Sequence, residues 1–144
     1  KQFENRTVKK TYLARVHGHP DSDSFSCEAA LACDPDTGGI RTLDPTGDEA
    51  STGFEVVERF GDGTSLIRCF PKTGRTNQIR VHLWSLGFSI CGDPAYLVNY
   101  QPGSNRTLMP SEPAMCLHAE SIAFSGLNGD LLQYSATAPT WTVE

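Results

Sequence analysis

Residues 71–93 read PKTGRTNQIRVHLWSLGFSICGD, and no other stretch limits the possible folds of this chain as strongly. Pro71 ends an apolar run, Thr73 and Gly74 read as a turn, and Thr76 stands where it can cap a helix. Ile79, Leu83 and Leu86 then recur at i, i+4 and i+7, and Gly87 follows in the position that ends a helix. The chain must therefore turn a corner from an extended segment into one short helix that packs by an apolar face. No acidic residue occurs between Asp62 and Asp93, while Arg68, Lys72, Arg75 and Arg80 all fall inside that window. Arg75 sits at the mouth of the corner and Arg80 one turn in.

Around this corner the sequence reads mostly as strands. Thr7–Val16 alternates, with Val8, Tyr12, Ala14 and Val16 on one face and Lys9, Thr11, Leu13 and Arg15 on the other. Further strands are expected over Phe25–Cys33, Phe54–Phe60, Ser65–Phe70, Met115–Phe124 and Leu131–Ala136, with a shorter one over Ile40–Leu43. Gly61, Asp62 and Gly63 make a hairpin turn between two of them. Asp34–Gly53 and Asp93–Pro113 are rich in turn formers and read as long loops. Adjacent strands with few helices predict an α+β fold around a mixed, largely antiparallel sheet. At 144 residues, positions 1–144 are expected to form one domain.

Charge is unevenly placed. The formal net charge is −5, which argues against broad affinity for nucleic acid. Yet Asn5–Pro20 carries Arg6, Lys9, Lys10 and Arg15 and no acid, and Asp21–Asp62 is acidic. Two basic segments separated by an acidic one can fold into a single positive cleft, which suits a polyanion held at one place. The five cysteines are odd in number and form no C-x-x-C pair, so free thiols are expected, with neither disulfides nor a metal site. No apolar run is long enough to span a membrane, so no membrane partner is expected and a cytoplasmic location is.

Thr73-Gly74-Arg75-Thr76-Asn77-Gln78-Ile79-Arg80-Val81-His82, followed by Gly87-Phe88-Ser89-Ile90-Cys91-Gly92-Asp93, resembles a motif of the RluA-like RNA pseudouridine synthases. That motif is T-G-R-[ST]-H-Q-I-R-x-H, then G-x-P-I-x-G-D; Asn77 stands here for His and Ser89 for Pro. Lys10–Gly18 is similar to the family's K-x-Y-x-A-x-V-x-G strand, and Leu117-His118-Ala119 to its L-H-A signature. The resemblance implies the C-terminal portion of a pseudouridine synthase catalytic domain. Such enzymes isomerise uridine to pseudouridine in structured RNA, ribosomal or transfer, without metal or cofactor. It further implies that Tyr12 stacks on the uracil, that Arg80 pairs with the catalytic aspartate and that Leu117 lines the base pocket. Arg75, Lys72 and Gln78 are then expected to contact RNA. His82 is expected to pack or hydrogen-bond, not to act as a base.

The family's nucleophilic aspartate belongs to an R-L-D-x-x-T-S-G segment that precedes the Lys10–Gly18 strand, and no such segment is present in these residues. Arg41-Thr42-Leu43-Asp44 resembles it superficially but follows that strand, so Asp44 reads as a turn residue. Three expectations follow. Activity belongs to a longer parent chain, with a noncatalytic RNA-binding remnant as the alternative. Arg80 is left a partly buried cation without its partner. The exposed sheet edges favour self-association.

Overall fold

Strand β1 (Lys9–His17) carries the aromatic and β-branched residues that fit a pleated surface, and it lies inside a six-stranded sheet. The computed structural model describes residues 8–33, 40–125 and 131–143. Arg6, Thr7 and the 34–39 portion of the expected loop lie outside them. The other strands of this sheet are β2 (Ser24–Cys27), β3 (Thr52–Arg59), β4 (Thr64–Pro71), β7 (Leu117–Ser125) and β8 (Leu131–Ser135). Their order is β2-β3-β4-β1-β7-β8. Every pairing between them is antiparallel, in keeping with the largely antiparallel sheet expected, and two connections, β1 to β2 and β4 to β7, pass over neighbouring strands.

Two register shifts shape the sheet. Thr11 pairs with Ser121 and Tyr12 with Ala119, which leaves Glu120 as the extra residue of a bulge on β7. A second shift on β3 falls between Val56 and Glu58. Across the sheet, one face buries Ala14, Val16, Cys27, Phe54, Ile67 and Cys69. Against it lies the single described α-helix, α1 (Gln78–Ser85), which contributes Ile79 and Leu83. The opposite face is thinner: Leu13, Phe60 and Leu66 are covered by Trp141 from a closing 3-10 turn at Thr140–Thr142.

The helix is more enclosed than one apolar stripe implies. Its other side meets a second cluster of Leu31, Ile40, Ala50, Val81, Ala95 and Tyr96, so Gln78, Ile79, Val81, His82 and Leu83 are all buried. That cluster explains two departures from expectation. The strand read over Phe25–Cys33 stops at Cys27, because Leu31 leaves the main sheet to bridge Leu43 and Asp48 instead. For the same reason the Ile40–Leu43 strand reduces to one bridging residue, Leu43. Between Tyr96 and Pro102, expected as loop, the chain forms a small hairpin of β5 (Tyr96–Leu97) and β6 (Gln101–Pro102).

At the helix ends, one expectation is corrected and one holds. Thr76 does not cap α1. Asn77 holds the N-cap position in the left-handed region, φ 59°, with no side-chain cap bond. Asparagine tolerates that conformation better than most residues. Gly87 ends the helix at φ 91°, donating from its N–H to the Trp84 carbonyl, while Phe88 N–H reaches the Leu83 carbonyl. Those two bonds form the Schellman arrangement, which satisfies the last carbonyls of a helix. None of the five cysteines, all of them among the described residues, is joined in a disulfide; Cys27 and Cys69 are buried and Cys33 is exposed.

Candidate functional site

The corner between β4 and α1 is held by one amide. Gln78, 4% exposed, accepts from the Thr73 hydroxyl at 2.6 Å and the Arg75 N–H at 3.1 Å. Its Nε2 donates to the Ser51 carbonyl and the Thr52 hydroxyl, both at 2.9 Å. His82 sits below it, fully buried, donating from Nε2 to the Ala29 carbonyl at 2.8 Å, with Nδ1 2.9 Å from the Thr52 hydroxyl. His82 thus makes structural hydrogen bonds as expected, although from the interior of the protein. For Gln78 the geometry corrects the expectation. Its amide is spent on the corner itself and has no bond left to offer RNA.

A cavity of about 650 Å³ opens beside this corner. Tyr12 reaches it from β1, Leu117 from β7 and Arg80 from α1, so three residues far apart in sequence converge there. Lys10, Lys72 and Arg75 line it as well, and no carboxylate is among the described lining residues. Among the described residues, the positive cleft therefore draws one cation from the first basic segment and the rest from the second. Two others, Arg15 and Arg68, face elsewhere. Arg15 lies on the opposite side of the sheet over the Phe60 ring and pairs with Asp62 at 2.8 Å, and Arg68 pairs with Glu120 at 2.9 Å. Lys72 and Arg75 are exposed, and Arg75 is steadied by a 2.8 Å bond from Nε to the Glu49 carbonyl.

Arg80 is not an orphan. Its Nε and Nη2 each lie 2.8 Å from the two oxygens of Asp93, a side-on bidentate pair. The Asp93 side chain has no exposed surface, and the Arg80 side chain is 11% exposed. Burial opposes the arginine charge, but the Asp93 hydrogen bonds and charge outweigh it, so the guanidinium is held above its ordinary pKa. Asp93 Oδ1 also accepts the backbone N–H groups of Ala95 at 2.9 Å and Tyr96 at 3.3 Å. The Tyr96 ring lies 5.2 Å from the guanidinium carbon. The expectation of an unpartnered cation fails because a partner thirteen positions along supplies the charge.

Sequence reasoning missed Asp93, Lys10 and Asn77. Lys10 carries a legible signal, since it shares the β1 face of Tyr12 and opens the Lys10–Gly18 stretch. Asn77, which stands where the motif has His, takes an Arg80 N–H on its Oδ1 at 3.2 Å. Ser89, the other departure, is buried and donates to the Leu97 carbonyl at 2.8 Å. Asp44 is a turn residue, accepting from the Thr46 N–H and hydroxyl at 2.9 and 2.8 Å, away from the cavity. Those two bonds hold its carboxyl below the usual range. Among the described residues no cluster of His, Cys, Asp or Glu is arranged to hold a metal. No described helix is long and apolar enough to cross a membrane.

A family model described as RNA pseudouridylate synthase matches residues 1–85. Over 126 residues, 87% of the chain, the sequence is 36% identical to the dual-specificity RNA pseudouridine synthase RluA of Escherichia coli K12. Over 139 residues, 96% of the chain, it is 36% identical to the uncharacterized RNA pseudouridine synthase YlyB of Bacillus subtilis. These alignments cover 54% and 43% of those proteins, so the chain spans about half the length of the curated relatives it matches. Among solved structures, human RNA pseudouridylate synthase domain containing 1 superposes with a TM-score of 0.73 at 27% identity. That superposition covers 95% of this chain and 57% of the human one.

Proposed function

The chain belongs to the RNA pseudouridylate synthase family, and on that premise we propose that it forms the base pocket and RNA-facing wall of an enzyme that isomerises uridine to pseudouridine. The observation that carries this reading is the convergence of Tyr12, Arg80 and Leu117 on one cavity rimmed by Lys10, Lys72 and Arg75. The reaction breaks the bond between N1 of uracil and C1′ of the ribose and turns the base over. It then joins C5 to C1′; the C5 proton leaves and N1 gains one. No redox partner is needed, since atoms and electrons balance within the nucleotide and its exchange with water.

A uracil inside a stack is out of reach, so the base must be extruded into the pocket before anything breaks. Tyr12 stacks on the extruded ring, and Leu117 supplies the apolar wall that lets the detached uracil rotate. Lys10, Lys72 and Arg75 hold phosphates of the flanking nucleotides, which positions the strand without reading its sequence. Arg80 offers its guanidinium to the nucleophilic carboxylate, which a segment of the parent protein ahead of β1 brings into the cavity. Ribosomal or transfer RNA, met in a reducing cytoplasm that suits cysteines joined in no disulfide, is the proposed substrate.

Conversion of uridine in bulk unmodified RNA, read by release of tritium from C5, tests the reading. This chain is compared with the same chain extended upstream. The extended form is expected to convert uridine and the chain alone to be inactive. Arg80→Ala should lower the rate of the extended form by about 100-fold or more. Tyr12→Phe, which keeps the ring and removes the hydroxyl, should lower it by about 100-fold if that hydroxyl handles the C5 proton. Activity of the chain as given would mean the nucleophile lies within it, with Asp44 the first residue to replace. RNA binding without conversion by the extended form would instead favour a noncatalytic binder.

A further inference from the structure

The Arg80–Asp93 pair differs from the other ion pairs of the described residues. The acidic partners Asp62, Asp48, Asp23, Glu55, Glu120 and Glu112 keep between 26% and 87% of their side-chain surface exposed, whereas Asp93 keeps none. Burying a carboxylate this completely is expensive, and an apolar pair of similar size is often as stable. The surroundings nevertheless fix it firmly. Gly92 turns at φ 81° against Ala114, where an added Cβ would stand 2.7 Å from the Ala114 carbonyl oxygen. That turn delivers Asp93 to the N–H groups of Ala95 and Tyr96.

Arg80 itself has five N–H groups. Nε and Nη2 point at Asp93, Nη2 also approaches Asn105 Oδ1 at 3.4 Å, and Nη1 meets Asn77 Oδ1 at 3.2 Å. These contacts leave one Nη1 hydrogen over, on a side chain that lines the cavity. The clamp thus occupies the side edge of the guanidinium, Asn105 and Asn77 take one hydrogen each from Nη2 and Nη1, and the remaining Nη1 hydrogen is left for an incoming group.

We propose that Asp93 is a positioning residue of the reaction, holding Arg80 by its side edge so that the remaining Nη1 hydrogen faces the reacting carboxylate. The proposal rests on the pseudouridine synthase reading above. A carboxylate that took no part in orienting Arg80 for the reaction would give the same loss of kcat whether or not Arg80 is present. One that acts through Arg80 loses its effect once Arg80 is gone.

The test uses the intact protein that carries this sequence, with Asp93→Asn, Arg80→Ala and the double variant, assayed on unmodified RNA. Asp93→Asn keeps the shape and an acceptor oxygen for the Ala95 and Tyr96 N–H groups, and removes the charge that orients Arg80. It is expected to lower kcat by about 100-fold with KM changed by less than about threefold, and to cause no further loss beside Arg80→Ala. An unchanged kcat in Asp93→Asn, or an equal loss in both backgrounds, overturns the proposal. Should Asp93→Asn fail to fold, Asn77→Gly keeps the left-handed backbone accessible and removes the Nη1 acceptor. It should lower kcat by about tenfold, and an unchanged kcat there overturns the proposal equally. A wild-type protein that converts no uridine overturns the enzymatic reading itself and the proposal with it. That outcome is distinct from an active wild type with an unaffected Asp93 variant.

Discussion

Gln78 and Lys72 belong to the same corner and line the same cavity, yet their side chains answer different questions. Replacing Gln78 by alanine strands the Arg75 N–H and takes one of two donors from the Ser51 carbonyl, which keeps the Lys72 N–H. Leaving buried polar groups unpaired costs about 1–3 kcal/mol. Chemical denaturation should therefore show Gln78→Ala less stable by about 2–3 kcal/mol, with RNA affinity reduced only as the corner loosens. Lys72→Ala should do the reverse. Its exposed side chain makes no described hydrogen bond, so stability should stay within about 0.5 kcal/mol. Its RNA affinity should fall, and the slope of log K against log salt should become shallower by about 0.7 for a single-stranded target. Equal denaturation midpoints for wild type and Gln78→Ala would show that the amide is not what holds the corner. The sequence carried this corner's outline and not its division of labour. A glutamine in a basic motif has the look of a ligand, and only burial reveals that its bonds go inward.

At the scale of elements, Gly87 and the 104–112 loop carry the clearest consequences. Gly87 sits at φ 91°, and an added Cβ would meet the Tyr100 hydroxyl at 2.8 Å. Tyr100 is exposed and its ring end can yield, so the backbone conformation decides the cost. Gly87→Ala should lower stability by about 1–2 kcal/mol, checked by the same denaturation. In the loop, Arg106 forks onto Glu112 at 2.7 and 2.8 Å, and Glu112 Oε2 also takes the Met109 N–H at 2.7 Å. The Arg106 hydrogen bonds, then the Met109 N–H, hold the Glu112 carboxyl down at about 2, against an ordinary 4.5. A carboxyl depressed in the folded state gives its full hold above its unfolded value and loses it as the pH falls through the folded one. The loop should stay closed down to about pH 4.5 and open toward pH 2, with the Glu112 and Met109 resonances titrating together. A Glu112 midpoint near 4.5 would show that the fork does not persist in solution. The strands and α1 were readable because alternation and helical spacing survive in the sequence. The β5–β6 hairpin was not: its turn is Asn99-Tyr100, both near φ 58°, with no glycine to announce it. Nor was the Arg80–Asp93 pair, since a thirteen-residue separation matches no periodicity and the turn between them decides the contact.

For the molecule as a whole, the two edges of the sheet are unlike. β2 is four residues long and alternates serine with its inward residues, which blunts it as a template for another chain. β8, at the other end of the order, presents Leu132 at 38% and Tyr134 at 60% exposure. Next to it a second hollow of about 310 Å³ runs between Lys10, Tyr12, Ile122 and Tyr134 and adjoins the main cavity through the first two of these. An apolar edge beside an apolar hollow favours strand addition, by a second copy if nothing else is present. The chain on its own should therefore self-associate, its weight-average mass in sedimentation rising above the monomer value of 15.7 kDa as concentration increases. Leu132→Lys puts a charge on that edge, and it should return the mass toward the monomer while leaving the denaturation midpoint nearly unchanged. Association that persists in Leu132→Lys would move the contact elsewhere on the surface. A mass that stays at the monomer value at every soluble concentration would show that β8 does not recruit a second copy. If association does run through β8, it also covers the hollow that borders Tyr12, so the self-associated chain should bind RNA more weakly than the Leu132→Lys variant. That comparison links the edge of the sheet to the site it flanks.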